Sequence, residues 1–127
     1  MPVLDTNCVV RWLVPDDEEK TNLVEALLAH QAPLRVSDVV MAEVIHVLES
    51  YYQFEREEVA QAVQTIAGCA AFDLDRTLWD AVAVTSLSHP KLSLIDIFLA
   101  LDTDRHHDGP LYSFDRKLVS QLDAVSP

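Results

Sequence analysis

Short apolar runs alternate with longer segments of helical periodicity along the whole chain, and this alternation restricts the fold more than any other feature. The first run, Val3-Leu4, breaks at Asp5-Thr6-Asn7, and apolar residues then return at helical spacing. This pattern predicts a strand that turns directly into a helix. Because the same alternation recurs, the sequence predicts an α/β fold in which helices cover both faces of a parallel sheet and the crossovers are right-handed.

The predicted elements fill one domain over residues 1–127, with three α/β/α layers and a four- to five-stranded parallel sheet. After the opening strand, further strands are predicted at 33–37, 70–74 and 110–114, with a short edge strand at 124–125. Helices are predicted after Asp5 and at 21–30, 38–52, 56–66, 76–87, 93–103 and 116–122. In the third helix the apolar stripe runs from Val40 to Tyr51 and Tyr52, and Ser37 and Asp75 are predicted helix caps.

The charge of the chain limits the classes of partner. Twenty-one acidic residues against nine Lys and Arg give a formal net charge of −12, which disfavours broad binding to nucleic acid. Part of this acidity is explained if some of the carboxylates bind a divalent cation. Cys8 and Cys69 lie in apolar stretches and are expected to be buried, reduced thiols. With no membrane span or signal peptide in the pattern, we expect a cytoplasmic protein.

Four carboxylates fall where a parallel sheet presents ligand-binding groups. Asp5 and Asp115 follow predicted strands, Glu43 lies early in the helix after the second strand, and Asp96 opens another helix. Structural roles are open for three of them: Asp5 is also a candidate helix cap, Glu43 an ordinary flanking surface residue, and Asp96 half of a capping box with Ser93. Strand carboxyl ends and the following helix starts share one edge, so the four are predicted to converge there.

Converging carboxylates repel each other unless a cation lies among them. Hard oxygen ligands suit Mg²⁺ or Mn²⁺, which keep waters and bridge to phosphate. This donor set therefore indicates metal-assisted hydrolysis of a phosphodiester bond.

Four motifs carry a resemblance to a known family. They are Val3-Leu4-Asp5-Thr6-Asn7, Ala42-Glu43-Val44, Ser93-Leu94-Ile95-Asp96-Ile97-Phe98-Leu99-Ala100 and Ser113-Phe114-Asp115-Arg116. In this order they resemble the PIN-domain family, and within it the VapC-type toxins of bacterial and archaeal toxin–antitoxin pairs. The resemblance implies a Mg²⁺- or Mn²⁺-dependent endoribonuclease that forms a homodimer and is inhibited by a cognate antitoxin.

Carried over by position, the resemblance implies that Asp5, Glu43, Asp96 and Asp115 are the catalytic and metal-binding acids. Thr6 and Ser113 are their hydroxyl neighbours. Two cations near the same edge, Arg11 and Arg116, are candidate contacts for RNA phosphates. The chain departs from the family pattern at Ile97-Phe98, which are bulkier than the usual small residues and are expected to narrow the groove.

Two other functions compete with this interpretation. Phe72-Asp73-Leu74-Asp75 resembles the first motif of haloacid-dehalogenase-type phosphotransferases, with Asp73 as nucleophile, but Arg76 replaces the usual glycine and only a short chain follows. The other alternative is a PIN-like binding module whose acids have no catalytic use.

Overall fold

The computed structural model describes all residues, Met1–Pro127, as seven α-helices and two short strands. The helices, in chain order, are α1 (Thr6–Leu13), α2 (Glu18–Gln31), α3 (Asp38–Ser50), α4 (Arg56–Gly68), α5 (Arg76–Ser88), α6 (Leu94–Arg105) and α7 (Arg116–Leu122). The strands are β1 (Leu34–Arg35) and β2 (Phe72–Asp73). Every helix lies within a few residues of its predicted place.

Local side-chain caps explain why the helices begin where they do. Ser37 accepts a hydrogen bond from the amide of Val40 at 3.2 Å, and Asp75 accepts one from the amide of Leu78 at 3.2 Å. Each bond satisfies an amide that has no partner within the first helical turn. Both predicted caps are therefore confirmed.

The sheet is smaller than predicted. β1 pairs in parallel with β2, with Leu34 opposite Phe72. On the other side of β1, Val3 forms a parallel bridge to Arg35, so that three segments stand side by side. Tyr112 and Val125 form a separate parallel bridge. The structure thus places backbone pairing at each predicted strand but does not confirm a continuous sheet of four to five strands.

One cluster of 26 buried residues forms the hydrophobic core and draws on most of the elements. Helix α4 packs against α5, α5 against α6, and α1 against both α2 and α3. Trp79 of α5 is completely buried and its ring stacks on Phe98 of α6 at a centroid distance of 4.6 Å. Ile97 is also fully buried. The two bulky residues of the third motif therefore contribute to packing in the interior.

Two predictions about burial were wrong. Tyr51, the C-cap residue of α3, is 77% exposed, whereas its neighbour Tyr52 packs against the core. Cys8 and Cys69 are free thiols, as expected, but each is half-buried. No helix combines the length and the apolar character needed to cross a bilayer.

Candidate active site

Asp5 and Glu43 are brought together at the point where the first strand segment passes into α1. Asp5 caps α1 and accepts a hydrogen bond from the amide of Thr6 at 2.8 Å. The hydroxyl of Thr6 donates in turn to Oε2 of Glu43 at 2.7 Å, across 37 residues of sequence. Thr6 therefore links the two acids through its backbone and its side chain, and it holds Glu43 in a fixed orientation.

These residues line an open recess of about 350 Å³ between α1 and α3. Its lining consists of Asp5, Thr6, Asn7, Val10, Arg11, Glu43 and Val47. Neither Asp5 nor Glu43 forms an ion pair, and one oxygen of each carboxylate has no hydrogen-bond partner in the protein. The recess thus presents two unpaired carboxylates with oxygens available to a ligand.

Asp115 and Asp96 also begin helices and are also free of cations. Asp115 caps α7, and its Oδ1 accepts from the amides of Lys117 at 2.9 Å and Leu118 at 3.4 Å. Ser113 accepts from the amide of Asp115 at 3.0 Å. At α6, Ser93 accepts from the amide of Asp96 at 3.1 Å, but the Asp96 carboxylate makes no return bond. Only one of the two hydrogen bonds of the predicted capping box is formed, so the Asp96 carboxylate accepts no hydrogen bond from it.

The structure does not gather all four acids at one point. Asp96, Asp115 and Ser113 are not among the residues that line the recess, and no three His, Cys, Asp or Glu side chains lie close enough to hold one ion. The sheet explains this arrangement. The segment that leads to Asp115 pairs with Val125, and no backbone hydrogen bond joins it to the segment that leads to Asp5. The four-carboxylate site stays a prediction.

The two candidate cations, and a further arginine, Arg105, have different surroundings. Arg11 lines the recess and donates to Oδ1 of Asp16 at 2.7 Å. Arg116 is exposed and has no ion-pair partner in the protein. Arg105, on the polar connection before the fourth strand segment, is held by Asp75 at 2.5 Å. Arg11 is therefore the cation that the structure places beside the two linked acids.

The aspartates of the competing phosphotransferase motif are engaged in structural contacts. Asp75 caps α5 through one oxygen and pairs with Arg105 through the other. Asp73 lies in β2 and is 3.6 Å from Arg35 of β1. Both contacts favour the interpretation of these residues as a helix cap and a cross-strand ion pair.

Comparison with protein families assigns the chain to a family. The family model described as PIN domain matches residues 3–123. The chain belongs to the PIN-domain family. This is a family of nucleases. Neither the curated proteins nor the solved structures contain a significant match to the chain.

The donors in the recess of this PIN domain fit a hard divalent cation. Mg²⁺ usually keeps several waters and is bound through one or two carboxylates together with substrate phosphate. Asp5 and Glu43 supply two carboxylates with free oxygens in one recess, and neither is neutralised by a cation of the protein. Two acids of this kind meet that minimum, and a softer metal would call for His or Cys ligands that the recess lacks.

Two residues next to the recess of the PIN domain were missed from the sequence. Tyr52 donates to Oδ2 of Asp16 at 2.9 Å, while Arg11 donates to the other oxygen. The hydrogen bond from Tyr52, helped by Arg11, lowers the pKa of Asp16, and burial together with Asp16 raises the pKa of Tyr52. The apolar spacing of α3 assigned Tyr52 to the core stripe, and no local pattern marks its hydroxyl as the partner of Asp16.

Proposed function

We propose that this PIN domain is a Mg²⁺- or Mn²⁺-dependent endoribonuclease that acts as the toxin of a VapC-type toxin–antitoxin pair. The observation that carries the proposal is the recess in which Asp5 and Glu43, joined through Thr6, present unpaired carboxylates beside Arg11. We include Asp96 and Asp115 in the proposed site because they stand in the third and fourth motifs of the family resemblance, and neither carboxylate forms an ion pair in the protein.

In the proposed mechanism the acids hold the ion and the neighbouring groups orient the reaction. Asp5 and Glu43 would ligate the cation, with Asp96 and Asp115 completing the set. A bound Mg²⁺ or Mn²⁺ supplies Lewis-acid chemistry, which makes water nucleophilic at neutral pH and offsets charge on the phosphate. Thr6 keeps Glu43 aimed by donating to its carboxylate. Arg11 contributes positive charge for an RNA phosphate in a chain that is otherwise strongly acidic.

The biological part of the proposal concerns assembly and location. A toxin of this type would act on RNA in the cytoplasm, as a homodimer, and would be silenced by an antitoxin that covers the active site. An open reading frame for a small DNA-binding protein directly upstream of the gene would support this role. Growth arrest on expression, relieved by co-expression of that neighbour, would test it.

The enzymatic test uses purified protein and single-stranded RNA with Mg²⁺ or Mn²⁺. We expect cleavage that EDTA abolishes, and a loss of at least about 100-fold in Asp5→Asn and Glu43→Gln, the size of effect seen when a group that stabilises transition-state charge is removed. Glu49→Gln is the matched control, because Glu49 is an exposed acid of α3 that does not line the recess.

The binding-module alternative is favoured by the absence of a ready three-carboxylate cluster. Titration calorimetry separates the two functions. The nuclease requires saturable binding of Mg²⁺ or Mn²⁺ that is weakened in Asp5→Asn. If the wild-type protein neither binds these ions nor cleaves RNA, the nuclease proposal fails and the module is the better description.

A further inference from the structure

Arg11 lies between two neighbouring cavities. It lines the acidic recess, and it also lines a groove of about 330 Å³ between α1 and α2. Asn7 is the other residue common to both cavities. Residues four apart on a helix lie on the same face, so Asn7 and Arg11 form a shared border. The recess and the groove are therefore adjoining parts of one surface.

Contacts from two other parts of the chain hold Arg11 at this border. Asp16, in the connection between α1 and α2, accepts from Arg11 through one oxygen and from Tyr52 through the other. Both carboxylate oxygens of Asp16 thus accept a hydrogen bond, whereas Arg11 donates only one of its N–H groups to Asp16. A guanidinium group has five N–H donors, so donors remain for a second anionic partner. The hydrogen bonds of this network lower the pKa of Asp16 and hold Arg11 at the border.

The groove itself combines cations with an apolar surface. Besides Arg11 it is lined by Lys20, while Leu23 and Leu27 are 62% and 40% exposed there. Two of the nine Lys and Arg residues in the chain thus line one small groove, where Arg11 pairs with Asp16 and the exposed Lys20 lies 4.0 Å from Asp17. Lys and Arg bind phosphates, and an Arg guanidinium group can also stack on an unpaired base, so the two cations of the groove match a single-stranded nucleic acid. Arg11 and Lys20 favour an anionic strand as the occupant of the groove, and a strand cut at the recess must continue along an adjoining surface.

We propose that the α1–α2 groove is the subsite for the RNA nucleotide next to the cleaved bond. Arg11 and Lys20 bind its phosphates, and Asp16 and Tyr52 are positioning residues that hold Arg11. This proposal depends on the proposed nuclease function, and it specifies the path of the RNA across the surface.

Salt dependence of RNA binding tests this path directly. Binding of a labelled single-stranded RNA is measured in EDTA, which prevents cleavage, over a series of salt concentrations. Each phosphate contact on single-stranded nucleic acid contributes about 0.7 to the slope of log K against log salt. We expect Arg11→Ala and Lys20→Ala each to reduce the slope by about 0.7 and to weaken binding about fivefold at low salt. Lys91→Ala, which removes an exposed lysine outside the groove, is the control and leaves the slope unchanged.

Kinetics in Mg²⁺ or Mn²⁺ test the positioning role. Tyr52→Phe removes the hydroxyl that holds Asp16, and we expect it to raise KM several-fold while kcat stays within about twofold, because a lost ground-state contact affects binding and transition state equally. Tyr51→Phe is matched to it, since Tyr51 is the exposed neighbour and has no bond to Asp16. If the variant lost activity only because part of it was unfolded, the apparent kcat would fall and KM would stay unchanged.

The outcomes separate the two proposals. If wild-type protein binds and cleaves RNA while Arg11→Ala and Lys20→Ala keep the full salt slope, the subsite is wrong, the nuclease function stands, and the groove is left to a protein partner. If wild-type protein neither binds nor cleaves RNA, the proposed function fails and the subsite fails with it.

Discussion

Asp115 combines a structural and a proposed chemical role, and changing it to Asn separates the two. Its Oδ1 accepts from two amides of the first turn of α7, and its other oxygen has no partner in the protein. Asn and Asp are nearly equal as N-caps, so Asp115→Asn keeps the cap and removes the negative charge. Asp115→Ala removes both.

The expected stability changes follow from these contacts. Loss of the charge at the helix N-terminus costs about 0.3–1 kcal/mol, and loss of the cap in Asp115→Ala adds about 0.5–2 kcal/mol. For a chain of this size 1 kcal/mol corresponds to a shift of roughly 4 °C in Tm. RNA cleavage is expected to fall at least about 100-fold in both variants, because neither a carboxamide nor a methyl group replaces an anionic metal ligand.

Thermal unfolding and initial rates of RNA cleavage, measured on the same preparations, make the test. Asp75→Asn is the matched control, because Asp75 caps α5 in the same way and lies outside the proposed site. It should cleave RNA at the wild-type rate despite losing its ion pair with Arg105. Wild-type activity in Asp115→Asn would refute the reasoning and reduce Asp115 to a helix cap. Lost activity in Asp75→Asn at an unchanged Tm would show that loss of a helix-cap charge outside the proposed site is enough to stop cleavage, and would also refute the reasoning.

Three further changes test other parts of the structure. Thr6→Val removes the hydroxyl that holds Glu43 and should reduce cleavage about tenfold, because a hydrogen bond to a charged group is worth about 1.5 kcal/mol. A backbone hydrogen bond to Asp102 and the charge of Asp102 raise the pKa of His106, so its NMR titration midpoint should lie above 6.5, and its contribution to stability should be complete below that pH and be lost as pH rises through the higher, folded-state value. Trp79→Ala should lower the free energy of unfolding by about 3–5 kcal/mol in urea, because its ring is completely buried.

Each of these changes has a matched control. Thr6→Ser keeps the hydroxyl and should retain most of the activity; equal losses in Ser and Val would show that the methyl group matters instead. Asp102→Asn should lower the titration midpoint of His106, and an unchanged midpoint would contradict the assigned contact with its charge. Val84→Ala changes an exposed residue of the same helix as Trp79 and should alter stability by less than about 0.5 kcal/mol.

The helices could be predicted from the sequence because their signals are local. Ser37 and Asp75 lie within three residues of the amides that they cap, and apolar spacing reveals the buried face of α3, although in α2 the regularly spaced Leu23 and Leu27 are exposed. Strand pairing is not local in this sense. Tyr112 pairs with Val125, and Val3 pairs with Arg35. Which segments pair depends on parts of the chain that are distant in sequence, and no short sequence pattern contains that information.

The candidate site shows the same division. The position of Asp5 at a strand-to-helix turn, and of Thr6 beside it, follows from the first motif. The link from Thr6 to Glu43 joins two helices and required the structure. Tyr52 shows the limit most clearly, because an aromatic ring at an apolar position packs as predicted while its hydroxyl serves a polar contact that the spacing does not encode.

Electrostatics and strand pairing together explain why Asp115 does not lie in the recess that holds Asp5 and Glu43. The segments that lead to them leave Val3, Tyr112 and Phe114 at 63%, 61% and 85% exposure, so the two stretches carry apolar surface that pairing between them would cover. Pairing would also carry both carboxylates to one sheet edge, where they repel each other without a cation. Burial of apolar surface thus favours pairing between the two segments, and repulsion between the two carboxylates opposes it. A divalent ion between the carboxylates would remove this repulsion, so metal binding and pairing of the two segments are expected to favour each other.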